Sequence, residues 1–489
     1  FVPKKNMSRD LMRSSRTTAC IALLCLCACS IVAADRPALP TLSPRKRLDS
    51  PNVLPPTRVD LLAANAKSST GSSITMTVVQ IVNNVAGAGV LTLGAGMAAG
   101  VGWVPAVLIC LLVGALSGFT FYLIGAACDL TGETSFKGLW SRTLGQESTW
   151  LVDGSITLVC LSAAIIYSGI LGDVTTSLLS LAGVATSAST RKIAICALTL
   201  AVLMPLSLLK DLSALAFTSA IGCGAILYTL LFVAFRALDG SYRGGSASTF
   251  VQSLPVHLRP TFAQAWSSPA GLLRVDAKAL VLISNLGLAF IAHYNAPAFY
   301  SGLANATPQR FGVAVGVAFG ILTVLYTLMM GLAYATFGAN TASNLLHNYA
   351  EADVLAVLGR VATGASILFG FPLAMLGLRS SLADMCGGLS AKISSRDSLT
   401  RRSLASIASP GARVPLVLSL LSLITFVACT LTDIGVIVGV SGALLGSAVV
   451  YIFPALIYAD VASASLVYAI VPLGAFFGIL GTYMTLAGN

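Results

Sequence analysis

The stretch VVQIVNNVAGAGVLTLGAGMAAG, residues 78–100, decides how this chain folds. It lies inside a long apolar run. Yet it carries adjacent asparagines, Asn83 and Asn84, and five glycines, Gly87, Gly89, Gly94, Gly96 and Gly100. A helix that only fills oil has no use for either type. Glycine lets the backbone leave helical dihedrals without a side-chain penalty. A buried amide needs a partner. The stretch predicts a membrane helix with a break built into it.

The rest of the chain identifies the solvent. Of 489 residues, 56% are hydrophobic and 10% charged, and mean hydropathy is +0.87. Soluble domains carry about 25% charged residues. Apolar runs of about 17–25 residues recur. They are continuous rather than alternating, so they are helices and not barrel strands. The fold class expected is an all-α polytopic membrane protein. Its eleven helices are expected near 74–99, 103–127, 150–182, 192–209, 212–236, 277–300, 310–337, 353–378, 413–431, 434–458 and 463–486.

The net charge of +11 does not indicate nucleic acid. The basic residues concentrate in the N-terminal tail and in 379–413, and such flanking charges set topology. No DNA-binding spacing accompanies them. With the tail inside, the cytosolic loops hold Lys137, Arg142, Lys210, Arg310, Arg379, Lys392, Arg396, Arg401, Arg402 and Arg413. The opposite loops hold Arg191, Lys192, Arg243, Arg259 and Arg274, with Arg236 at a boundary. The bias predicts a cytosolic N-terminus and a C-terminus outside. The eleven cysteines show no paired metal spacing in the membrane part and read as buried thiols.

Residues 1–72 read as a leader or disordered tail, and 73–489 as the membrane domain. From Met7 onward, Arg9, Arg13 and Arg16 precede an apolar core from Cys20 to Val32, then Ala33 and Ala34. That order suits a signal or targeting segment over 7–34. A cleaved signal would place the mature start on the far side, against the loop charges.

A second break is expected at NLGLAFIAHYNAPAF, residues 285–299, from Gly287, His293, Asn295 and Pro297. It stands five helices after the first. Breaks at matching positions of two halves point to an inverted-repeat transporter, helices 1–5 against 6–10, with one helix added. At the first break, Ala86, Gly87, Ala88, Gly89 and Val90 supply unwound backbone. The amides of Ala88–Val90 carry a positive helix end that suits a carboxylate. Asn83 offers an oxygen for a cation or an ammonium. His293 is suited to carry a proton, with its carbonyl freed by Pro297. Tyr294 and Asn295 complete that half, and Tyr167, Thr363 and Ser366 line the centre. Asp173, ending YSGILGD, faces protein or water near the outer boundary.

Six stretches in order carry a resemblance: NNVAGAGVLTL, IIYSGILGDVTTSLL, PLSLLKDLSALAFTSAIG, LAFIAHYNAPAFYSGL, GLAYATFGANTASNLLHNY and TDIGVIVGVSGALLGSAVVYIFPALIY. From about residue 72 to the end, the chain resembles the amino acid/auxin permease family. That family includes the sodium-coupled neutral amino acid transporters and the vacuolar amino acid transporters. The resemblance implies the LeuT-like inverted five-helix repeat and amino acid transport by alternating access. It implies that Asn83 occupies the position that helps hold sodium in sodium-coupled members. The family's helix 8 often has Thr two residues before a proline; here Gly370 stands before Pro372. That departure shifts the expected coupling ion from Na+ toward H+. Where the family often has Glu–Leu after the helix 6 tyrosine, this chain has Gly302–Leu303.

The expected protein is a secondary active transporter of neutral amino acids in a plasma, vacuolar/lysosomal or organelle membrane. It is not an enzyme, needs no resident cofactor or metal, and partners the lipid bilayer and its amino acid substrate. The alternative is a transporter-like sensor signalling through its N-terminal tail.

Overall fold

The computed structural model describes residues 71–208, 218–243, 248–261, 269–392, 398–431 and 433–487. The leader reading of 7–34, the sensor tail, and Lys210 to Phe217 in the helix 4–5 junction lie outside them. Residues Ser73–Leu303 and Thr307–Asn489 form one compact unit.

Lipid offers no partner to a backbone amide, so each apolar run satisfies its own amides as a helix. Among the described residues, ten helices are long and apolar enough to cross a membrane. The bent pair Ile74–Val85 and Ala88–Ala98, turned by 53°, makes the eleventh span. Spans 2 to 5 are Trp103–Thr131, Thr149–Leu181, Ala188–Leu198 continuing to Ser207, and Thr218–Leu238. Span 6 is Ala279–Ala289 followed by a short turn, His293–Asn295, and Ala296–Ser301. Spans 7 to 9 are Pro308–Phe337, Val354–Lys392 and Arg413–Thr430. Span 10 runs from Ile434 to Ala462, widened to a π-helix over Gly442–Ile452, and span 11 is Ile470–Ala487.

Spans 3 and 8 hold matching places in the two halves, and each packs on the other more extensively than any other pair. At 33 and 39 residues they reach roughly 50 and 58 Å, well beyond a hydrocarbon core of about 30 Å. Span 8 runs to Lys392 rather than ending at 378, because its polar second half stays helical past the apolar run.

Both breaks are present, but two residues expected to make the second one do other work. Gly287 is helical. A Cβ there would stand 2.8 Å from the Gly442 carbonyl, so it lets spans 6 and 10 touch through their backbones. Pro297 sits in the first turn of the second half-helix, where its missing N–H costs nothing. The His293 carbonyl is not freed: it accepts from the Ala296 N–H. The break lies at Phe290–Ala292, where the first half-helix has already ended.

Candidate functional site

The two breaks meet across three polar contacts. Asn295 Nδ2 donates to Asn84 Oδ1 at 3.2 Å. Asn285 Nδ2 donates to the Thr92 carbonyl at 3.2 Å. Between them the Tyr326 hydroxyl of span 7 lies 3.2 Å from the Val85 carbonyl and 2.8 Å from the Ala289 carbonyl. Those carbonyls end the two first half-helices, where the donors four residues on in a continued helix are missing, although Gly87 N–H also reaches the Val85 carbonyl at 2.8 Å. Tyr326 is wholly buried. Sequence reasoning missed it, because a tyrosine inside an apolar run looks like any core aromatic.

A cavity of about 500 Å³ opens beside this junction. Its walls come from spans 1, 3, 5, 6 and 8. Ten expected residues line it: Asn83, Ala86, Gly87, Ala88, Val90, Tyr167, Tyr294, Asn295, Thr363 and Ser366. Thr229 and Gly222 of span 5 line it as well, and no local sequence signal marks them. Among the described lining residues none is charged. Thr229 and Thr363 join through their hydroxyls at 3.3 Å.

Two expected residues are placed elsewhere. Gly89 packs against span 6, where an added Cβ would lie 3.2 Å from Ala289 Cα. His293 turns away from the cavity toward span 2. Its Nε2 lies 3.0 Å from Thr120 Oγ1 and 3.0 Å from the Ser117 carbonyl.

The backbone at the first break is also more specific than its glycines suggest. Gly87 has φ −103°, which any residue adopts. What crowds a side chain there is the Tyr167 hydroxyl, 3.2 Å from where a Cβ would stand, which would have to shift by a few tenths of an ångström. Val90 N–H donates to the Gly87 carbonyl at 3.3 Å. Of the three amides Ala88–Val90, that of Val90 is therefore taken and Gly89 does not line the cavity, which leaves the Ala88 amide facing it.

Asn83 Oδ1 points at span 5. A Cβ on Gly222 would stand 2.4 Å from that oxygen and 3.3 Å from Ser366 Oγ. Gly222→Ala is therefore expected to displace the amide and cut uptake by about tenfold or more, as misplacing a positioned group by an ångström can. Gly224→Ala, which meets nothing within 4 Å, should leave uptake unchanged. Equal uptake by the two variants would remove Asn83 from the site.

The cavity runs along span 8 from Thr363 to Ser380, toward the face where span 1 begins. A separate cavity of about 580 Å³ lies on the opposite face and shares no lining residue with it. Val174 of span 3 closes on Gly364, and Phe232 of span 5 on Gly359. Polar hubs cover that closure. Asp173 accepts from Arg191 Nε at 2.6 Å, from Asn344 at 3.4 Å, and pairs with His347 at 3.2 Å. Arg191 also donates to the Ala428 carbonyl of span 9 at 3.0 Å. Asp353 accepts from Arg236 and from the Tyr242 hydroxyl. Burial, then the Asp353 carboxylate, push the Tyr242 phenol up. Arg360 donates to the carbonyls of Leu346, Tyr349 and Ala350. Asp173 thus faces protein, as expected, and ties spans 3 and 4 to the segment between spans 7 and 8.

Residues 70–484 match the family described as transmembrane amino acid transporter protein. The chain is similar to a Danio rerio protein named sodium-coupled neutral amino acid transporter 11, with 23% identity over 81% of this chain and 80% of that one. It is similar to vacuolar amino acid transporter 5 of Schizosaccharomyces pombe, with 24% identity over 62% of this chain and 68% of that one. Among solved structures, a Na+-coupled sialic acid symporter in a substrate-bound outward-open state aligns with a TM-score of 0.42 and 14% identity, over 87% of this chain and 91% of that one.

Proposed function

This chain belongs to the transmembrane amino acid transporter family, and on that premise we propose that it moves neutral amino acids by alternating access, driven by a cation gradient, the proton in preference to sodium. One observation carries the substrate class. A 500 Å³ cavity at two broken helices offers amides and neutral oxygens but, among its described lining residues, no charged side chain. A zwitterion fits it: the carboxylate at the Ala88 amide, the ammonium at Asn83 Oδ1 and the span 6 turn. A charged substrate side chain would find no counter-charge, and burying it unpaired is costly.

Gly370 supports the proton. It lies on the cavity wall without a side-chain oxygen, leaving Asn83 Oδ1 and Ser366 Oγ as the side-chain oxygens beside Gly222, a thin set for sodium. Taken with the Lys and Arg bias, the cavity opens to the cytosol and the hubs at Asp173 and Asp353 seal the far side.

Proteoliposome uptake of labelled neutral amino acids under imposed pH or sodium gradients tests this. Uptake should follow the pH gradient and fall severely in Asn83→Ala. Absence of uptake by the wild type sinks the transport reading. Uptake that follows sodium alone sinks the proton.

A further inference from the structure

We infer that His293 is the proton-binding group of the transport cycle and takes its proton on Nδ1. The inference rests on the transport reading above and adds the atom that carries the coupling proton, outside the substrate cavity.

The hydrogen bonds fix the tautomer. Nε2 faces the Ser117 carbonyl at 3.0 Å, and a carbonyl only accepts, so Nε2 bears a hydrogen. The Thr120 hydroxyl, also 3.0 Å from Nε2, has the Leu116 and Ser117 carbonyls within 3.1 Å as acceptors for its own hydrogen. Its lone pairs therefore face Nε2–H as well. A neutral imidazole has one N–H, which leaves Nδ1 as a bare lone pair. That atom is buried and has no hydrogen-bond partner among the described residues. Buried acceptors are almost always satisfied, so one left open on a base is a place for a proton.

The surroundings of the ring are apolar. Phe121 of span 2 and Phe319 of span 7 meet it edge-on, at 5.3 and 6.3 Å between centroids. Of the ionisable groups on the packed elements, the Tyr451 hydroxyl of span 10 has no hydrogen-bond partner among the described residues, and Asp129 of span 2 is held by the Tyr300 hydroxyl. Arg310 lies at the far start of span 7. None of them pairs with the imidazole, and a cation here would have no counter-charge.

The link to the substrate cavity runs through the backbone. His293 opens the short turn whose next residues, Tyr294 and Asn295, line the cavity. A movement that separates Asn295 from Asn84 also swings the ring off span 2. An N–H bond then forms at Nδ1 with a proton from the aqueous phase on one face, and the same bond breaks on the other. One proton crosses per cycle and no electron moves.

His293→Gln tests this, because Gln keeps an N–H donor near the Nε2 position and carries no base. In proteoliposomes the wild type should accumulate substrate about tenfold across about one pH unit for one-to-one coupling. The variant should show no accumulation while keeping counterflow exchange at equal pH. Wild-type accumulation by the variant overturns the inference. So does accumulation by the wild type that needs sodium, which leaves transport standing; a wild type inert in counterflow overturns the transport reading too. A folding defect is circumvented by a second measurement. The chain has three histidines, so His257→Gln/His347→Gln leaves one imidazole for isotope-labelled histidine NMR. Hydrogen on Nε2 and a bare Nδ1 at high pH, with Nδ1 protonated on acidification with substrate, is the result expected. A hydrogen on Nδ1 at high pH, or no protonation across the range where histidines titrate, overturns it.

Discussion

Tyr326→Phe should reduce uptake by about tenfold to a hundredfold while leaving a folded protein. The substitution keeps the ring and removes one hydroxyl. The Ala289 carbonyl loses its donor at 2.8 Å, and the Val85 carbonyl loses one of two, since Gly87 N–H also reaches it at 2.8 Å. Leaving a buried acceptor unsatisfied costs about 1–3 kcal/mol, and about 1.4 kcal/mol is a factor of ten in rate. That cost falls on the state in which the two breaks are joined. Turnover should therefore suffer more than apparent substrate affinity, because Tyr326 is not among the residues that line the cavity. Initial rates against substrate concentration make the check, and a wild-type maximal rate would show that the clamp is dispensable.

Asp173→Ala should strongly destabilise the sealed face. It strips the partner from Arg191, whose side chain is 13% exposed against 6% for Asp173. Removing one member of a buried ion pair costs about 3–5 kcal/mol, because the other charge stays buried and uncompensated. Arg191 would keep only the carbonyls of Gly169 and Ala428. The yield of folded protein and its unfolding midpoint should both drop. Asp173→Ala/Arg191→Ala should cost less than the two single changes summed, since it removes the stranded charge. Strict additivity would show that the pair does not hold this face together.

Much of the site was legible because its elements break local rules. Asn83 and the glycines are anomalous in oil, and so is HYNAP. Each anomaly marked a real interruption, and most residues named from them line one cavity. The failures are equally physical. Gly287 and Gly89 looked like breakers, but a glycine that unwinds a helix and one that lets two helices touch are the same letter. His293 was expected at the substrate because it stands at the break. Which way a side chain turns from a broken helix depends on the partners across the gap, and Ser117 and Thr120 belong to a helix 173 positions or more away. Gly222 and Thr229 matter only because span 5 packs there, and nothing in their own neighbourhood signals it.

By itself the sequence determined the solvent, the number of spans and the places where two of them break, since hydropathy and backbone freedom are properties of short segments. The tertiary structure alone decided that Tyr326 clamps both breaks, that the cavity reaches one face while hubs at Asp173 and Asp353 close the other, and that His293 stands behind the site rather than in it. Those facts depend on distances between segments far apart in the chain, which no local pattern of residues encodes.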